Sequence, residues 1–133
     1  MQTMEAIRAR RSVRKYKAEA VPREQIERLL EAAMLAPSAV NSRPWEFVVT
    51  DKREILQRLT EAHPASRMLL TASWAIAVCG RPDLQPKHNF WQQDCAAAAE
   101  NIRSPPRIWG WGRAGAAVTP PNRARAKCRK CWA

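Results

Sequence analysis

No apolar run in this 133-residue chain is long enough to cross a bilayer, which excludes a membrane-spanning helix. The opening residues Met1-Gln2-Thr3-Met4-Glu5 lack the apolar core of a signal peptide and lead straight into a charged helical pattern, so a cytoplasmic location is expected. In that setting the four cysteines, Cys79, Cys95, Cys128 and Cys131, are expected to be free thiols. The sharpest absences lie beyond Ile102. Residues 103–133 contain no Leu, against 8 Leu before them, and no Asp or Glu. The net charge of +11 therefore divides unevenly: residues 1–102 hold 15 Lys/Arg and 12 Asp/Glu, whereas the last 31 residues hold 8 Lys/Arg unopposed. The first part has the balance of an ordinary soluble protein. Only the tail gives the whole chain the look of a nucleic-acid binder.

The length suggests one domain. Thr3 is placed to cap a short helix running to about Arg11, with Met4 and Ile7 on one face. Val21-Pro22 opens a second helix, since proline is tolerated where the first-turn N–H groups have no helical partner. Ile26, Leu29, Leu30, Ala33 and Met34 recur at helical spacing, Glu24, Glu27, Arg28 and Glu31 cover the other face, and Pro37 ends it. Trp45 to Thr50 reads as a strand, rich in aromatic and β-branched residues. Asp51 is placed to cap the next helix, with Ile55, Leu56 and Leu59 on its apolar face, and a short helical piece is expected near Ser66–Leu70. Trp74 to Cys79 is continuously apolar, as in a strand covered on both faces. Gly80 to Asn89 reads as loop, and Asp94 to Ile102 as an Ala-rich helix that packs closely on a neighbour. The order helix, helix, strand, helix, strand, helix mixes α and β. After Ile102 the periodicity stops. That segment holds four of the ten prolines and three of the four glycines, and it cannot bury enough apolar surface to offset its ordering entropy.

Two constellations carry candidate chemistry. In Arg10-Arg11-Ser12-Val13-Arg14-Lys15-Tyr16, three arginines and a hydroxyl lie within five residues. Guanidinium groups grip phosphate with bidentate, charge-assisted bonds, each contributing about 1.5–3 kcal/mol. A solvated basic helix end would look the same in sequence. In Ala36-Pro37-Ser38-Ala39-Val40-Asn41-Ser42-Arg43-Pro44-Trp45, two prolines fix the backbone, and Ser38 and Asn41 offer short donors and acceptors suited to the polar edge of a planar heterocycle. An ordinary capped turn fits those residues too.

Taken together, the two constellations resemble one family, the nitroreductases. Its members open with a short helix ending in Arg-Arg-Ser-x-Arg-x-Tyr/Phe. A second helix then ends in Ala-Pro-Ser-x-x-Asn-x-Gln-Pro-Trp, followed by a strand. This chain has that order and spacing, with Arg43 in place of the usual Gln. Leu70–Val78 and Asp94–Ile102 resemble the family's second strand and central helix, so the likeness covers about residues 3–102. It implies an α+β fold with a central mixed or antiparallel sheet flanked by helices, incomplete at the C-terminus, over residues 1–102. It implies FMN at a homodimer interface. Arg10, Arg11, Ser12 and Arg14 would hold the phosphate, ribityl and N1/O2 side, with Arg14 stabilising the anionic reduced flavin. Pro37, Ser38 and Asn41 would approach the isoalloxazine from the other subunit. NAD(P)H would be the reductant and a nitro compound, quinone or similar small molecule the acceptor, with no protein nucleophile or general base required.

In the family the helix runs on to Leu-Gly-Leu-Gly-Ala-x-Trp-x-Gly-x-Tyr-Pro-x-Glu. Here the corresponding stretch is Trp109-Gly110-Trp111-Gly112-Arg113-Ala114-Gly115-Ala116-Ala117-Val118-Thr119-Pro120-Pro121-Asn122. Reading one base earlier, Trp109 and Trp111 permit Leu, and Gly110 and Gly112 must remain Gly. Arg113 permits Ala, Gly115 Trp, Ala117 Gly, Thr119 Tyr, Pro120 Pro and Asn122 Glu. The family motif is thus recoverable one base out of frame, which points to a frameshift near Ile102/Arg103 and a basic tail, residues 103–133, expected to be disordered. A chain so cut would bind FMN weakly or not at all and tend to aggregate.

Rival readings concern the tail. Arg123–Lys130, with Trp109, Trp111 and Trp132 nearby as stacking groups, could bind nucleic acid. Out-of-frame GC-rich codons favour the same residue types, which makes nucleic acid the weaker expectation. Cys128-x-x-Cys131 has metal-ligand spacing, but one pair does not complete a tetrahedral zinc site, so no metal is expected. His63 and His88 are lone residues read as surface or structural, and Cys79 and Cys95 as inert core thiols. A non-catalytic remnant remains a third class.

Overall fold

The computed structural model describes residues 3–17 and 19–104. The stretch from 105 on, with Trp109, Trp111, Trp132 and the Cys128/Cys131 pair, lies outside the described residues. The elements are α1 (Thr3–Ala9), α2 (Arg23–Met34), β1 (Trp45–Thr50), α3 (Arg53–Ala62), β2 (Ala75–Gly80) and α4 (Trp91–Arg103). This is the α/β order that the periodicity predicts. Short 3₁₀ turns at Ala39–Asn41, Pro64–Leu70 and Pro82–Leu84 punctuate the connections.

β1 and β2 pair antiparallel, with Trp45 opposite Gly80, Phe47 opposite Val78 and Val49 opposite Ile76. Alternation places those residues on one face of the sheet and Glu46, Val48, Thr50, Ala75, Ala77 and Cys79 on the other. Trp45 and Val78 are buried with α2's Ala33 and α4's Trp91, Cys95, Ala98, Ala99 and Ile102, and Phe47 and Ile76 pack against that cluster. Small side chains let α2 and α4 approach closely, and Asn101 Nδ2 donates to the Ala32 carbonyl at 2.9 Å. Gly80 is required by its neighbour: a Cβ there would lie 2.2 Å from the Trp91 ring. The sheet edge is tied down by Arg81, whose N–H donates to the Pro44 carbonyl at 2.8 Å and whose guanidinium pairs with Glu46 and Asp83.

Four local expectations are corrected. α1 stops at Ala9 rather than about Arg11. Arg10 N–H still reaches the Ala6 carbonyl at 3.1 Å, and the chain then turns irregular. Met4 and Ile7 lie exposed, because nothing among the described residues packs on that face. Asp51 does not cap α3; Lys52 occupies the cap position with no side-chain bond, and Thr50 Oγ1 accepts the Lys52 N–H at 3.2 Å. β2 is buried only at Val78 rather than on both faces, since α4 covers one face of the two-stranded sheet. Cys79 is half-buried rather than a core thiol, whereas Cys95 is fully buried as expected.

Candidate functional site

The basic segment leaves α1 as irregular chain. Arg10 Nε meets Glu100 of α4 at 3.3 Å, and Arg103, itself 3.4 Å from Glu100, donates to Ser12 Oγ at 3.1 Å. The segment is therefore moored on the last turns of α4 by one carboxylate and one guanidinium. Arg11 donates to the carbonyls of Arg8 and Arg10 at 2.7 and 2.9 Å. Neither Arg11 nor Arg14 pairs with a carboxylate among the described residues, and both are exposed. Two unneutralised guanidiniums beside a hydroxyl have the donor set that a phosphate needs.

The loop after α2 is built differently. Val40, Asn41 and Arg43 all take positive φ, at 48°, 54° and 46°. For non-glycine residues, and above all for β-branched valine, this costs of order 1–3 kcal/mol each and persists only where the surroundings enforce it. The enforcement is visible. Ser38 Oγ accepts the Arg43 N–H at 2.9 Å, the Asn41 N–H reaches the Ser38 carbonyl at 3.0 Å, and Asn41 Oδ1 accepts from Arg43 Nε at 3.1 Å. Beneath lies the buried Asp94, in the first turn of α4. Both its oxygens accept the Ala39 N–H at 3.2 Å, and Gln85 Nε2 donates to Oδ2 at 2.7 Å. The same Gln85 amide donates to Ser42 Oγ at 2.7 Å, and Ser42 donates to the Ala39 carbonyl at 2.8 Å. Pro37, Val40 and Asn41 stay exposed above this network and Ser38 is half-buried.

Sequence reasoning singled out Pro37, Ser38 and Asn41, which the structure places in this loop, but not Asp94 and Gln85, which lie beneath it. The available signal was faint: a carboxylate opening an otherwise alanine-rich helix. Burial first, then the Asp94 charge and Cys79, push the neighbouring Cys95 thiol up to about 11, so it stays protonated and unreactive near neutral pH. Among the described residues no cluster of three His, Cys, Asp or Glu offers a metal site. No described helix is long and apolar enough to cross a membrane.

One chain does not bring its two predicted half-sites together. Arg103, beside Ser12, and Asp94, beneath the loop, are nine residues apart on α4. At 3.6 residues per turn they point to roughly opposite sides of the helix and stand about 13 Å apart along it. A groove on the outer face of α2, lined by Glu27, Leu30, Glu31, Met34, Leu35 and Arg43, contains none of the predicted site residues.

Comparison with known proteins settles the family. The model described as the nitroreductase family matches residues 7–118, most of the chain. The chain belongs to the nitroreductase family. Among the relatives of this nitroreductase-family chain is a Methanothermobacter thermautotrophicus protein provisionally named NADH dehydrogenase/NAD(P)H nitroreductase. It is 43% identical over 120 residues, 90% of this chain and 63% of that one. The chain thus spans less than two thirds of that relative's length. A solved structure from Parabacteroides distasonis, given the same provisional name, superposes with a TM-score of 0.88 at 40% identity, covering 99% of this chain and 77% of its own. The structure of an FMN-dependent nitroreductase from Clostridium difficile gives a TM-score of 0.67 at 35% identity, over 74% of this chain and 57% of that one. Position 43, where the motif resembled in the sequence has Gln, is Arg in this chain. The substitution leaves the loop's Ser38 bond intact, because the donor is the backbone N–H of residue 43.

Proposed function

We propose that this chain is part of an NAD(P)H-dependent, FMN-using oxidoreductase acting on nitroaromatic, quinone or similar small acceptors, with each flavin site completed by a second copy of the chain. The observation that carries this reading is the division across α4. One side offers a basic phosphate-type grip, the other a rigid polar loop, and the helix stands between them. Two copies related by a two-fold axis would join one half from each. Exposed Met4 and Ile7 on α1, and Met34, Leu35 (77% exposed) and Val40 (76% exposed) around the loop, supply apolar surface for such a contact.

The residues present suit FMN. Arg14, and Arg11 through the N–H groups not given to the Arg8 and Arg10 carbonyls, would bind its phosphate and the N1/O2 side, Ser12 would donate its hydroxyl hydrogen to the ribityl chain, and Arg10 would contribute at reduced strength because Glu100 already holds it. Pro37, Ser38 and Asn41 border the ring from the partner. Bound FMN supplies the two-electron chemistry between nicotinamide and acceptor. The protein's part is to neutralise the phosphate, place the ring edge and stabilise negative charge at N1/O2 through Arg14. No side chain is needed as nucleophile or general base. A cytoplasmic setting, where NAD(P)H is available, fits this reading.

Titration of the full-length protein, with its reading frame restored after codon 102, against FMN, followed by quenching of flavin fluorescence, tests the reading. Wild type should bind and Arg14→Ala should bind about tenfold weaker, as loss of one charge-assisted contact implies. Failure of wild type to retain or take up FMN would defeat the assignment. We further infer that the tail from about 103 on is read one base out of frame, because the family's glycine-rich continuation reappears in the adjacent frame, even though the family model extends to residue 118 in the given one. Resequencing the DNA on both sides of codon 102 tests this, and an intact frame ending at Ala133 with matching transcripts refutes it. A tail that bound nucleic acid would show salt-sensitive DNA binding that disappears on deleting residues 103–133.

A further inference from the structure

We infer that Asp94 is a positioning residue for the flavin-facing loop, an inference that rests on the FMN reading above. The hydrogen bonds form a closed ring. Asp94 accepts the Ala39 N–H, the Ala39 carbonyl accepts from Ser42, Ser42 accepts from Gln85, and Gln85 donates back to Asp94. Every donor around Asp94 points inward, so the ring needs an acceptor-only group at that position, which a carboxylate is and an amide is not. Gln85 shows how strongly that demand acts. Both hydrogens of its amide are used, while its buried Oε1 has no partner among the described residues. The amide is turned to serve the carboxylate at the expense of its own carbonyl.

The ring touches only the inner side of the loop. It does not cover Pro37, Val40 or Asn41, which stay exposed. What it fixes is the path between them, through three positive-φ residues that would relax without it. The negative charge also sits in the first turn of α4, where the helix dipole favours an anion. Asp94 thus sets the shape of the half-site without itself facing the flavin.

The test uses the full-length protein, with its reading frame restored after codon 102, and its Asp94→Asn variant, with three readouts. These are exchange of the Ala39 amide hydrogen, FMN affinity by titration, and the visible circular dichroism of flavin at saturating FMN. Leu56→Ala, a buried α3 position whose loss destabilises the fold away from the loop, serves as control. Asp94→Asn should exchange Ala39 about tenfold faster and bind FMN about tenfold weaker. It should also alter the dichroism of the bound flavin, whereas Leu56→Ala leaves that band unchanged. An Asp94→Asn protein with wild-type affinity and dichroism overturns the inference and leaves the FMN reading standing. A wild-type chain that takes up no FMN overturns the FMN reading, and this inference with it. If Asp94→Asn does not fold, Gln85→Leu decides by the same criteria. It removes two bonds of the ring while keeping the carboxylate, and should weaken FMN about threefold; no change in affinity or dichroism would overturn the inference.

Discussion

Segments 10–14 and 38–43 are both short, polar and irregular, yet their supports differ in kind. The loop 38–43 stands on a buried carboxylate and a closed ring of hydrogen bonds that enforce three positive-φ residues. The basic segment is held by the half-exposed Glu100 and by Arg103, whose contact with Ser12 is exposed, so water competes for both holds. The loop is prebuilt, whereas the arginines keep their charge exposed and adjustable. That division suits a ligand with a rigid planar end and a flexible phosphorylated end. The rigid end gains from a surface already in place, and the phosphate is drawn by charge that needs little prior geometry.

The comparison breaks most severely at Gly80. Gly80→Ala drives a methyl into the Trp91 ring in the core, at the start of the helix turn that carries Asp94. We expect about 3 kcal/mol of lost stability by urea unfolding, with the loop's amide protection lost first. Next in size is the contrast between the two anchors. Asp94→Asn leaves buried donors facing an amide and should cost about 2 kcal/mol, whereas Glu100→Gln, at the half-exposed anchor of the basic segment, should cost no more than about 0.5 kcal/mol. Equal costs would erase the distinction between built and open halves.

A smaller effect should appear in alkali. Burial, then the Asp94 charge, raises the Cys95 thiol from 9.0 to about 11 in the folded chain. The unfolded chain releases that proton first, so this thiol's contribution to stability should be flat below pH 9 and decline as pH rises towards 11. Cys95→Ala should remove this part of the decline in Tm, and an unchanged slope would contradict it. The smallest change expected is from Arg43→Gln, which restores the usual family residue. Ser38 still accepts the backbone N–H of residue 43, so stability should stay within about 0.5 kcal/mol. A larger loss would mean that the Arg43–Asn41 side-chain bond holds the loop more strongly than the ring beneath it.

Much of the fold was readable because it rests on local signals. The run Trp45–Thr50 is a strand by composition and by structure, and Ala33, Ala98 and Ala99 mark the faces where two helices meet closely. Pro37, Ser38 and Asn41 stood out because prolines and short polar residues are rare in such density. Asp94 and Gln85 did not, because their importance comes from contacts across 55 and 43 residues of chain, which no periodicity encodes. The cover of β2 was misjudged for a related reason. An apolar strand advertises what it wants buried but not which element will do so. That the half-sites lie on opposite sides of α4 follows from helix phase, which becomes visible only once each segment's anchor on the helix is known.

Subunit complementation tests the central claim most directly. One chain would carry Arg11→Ala and Arg14→Ala, the other Ser38→Ala and Asn41→Ala, and each alone should bind FMN poorly. If every site takes one half from each subunit, half of the randomly mixed dimers are heterodimers with one intact site of two, so co-refolding should restore about a quarter of the wild-type FMN capacity. If both halves served a site within one chain, every site in the mixture would carry a lesion and no capacity would return, which would contradict the account.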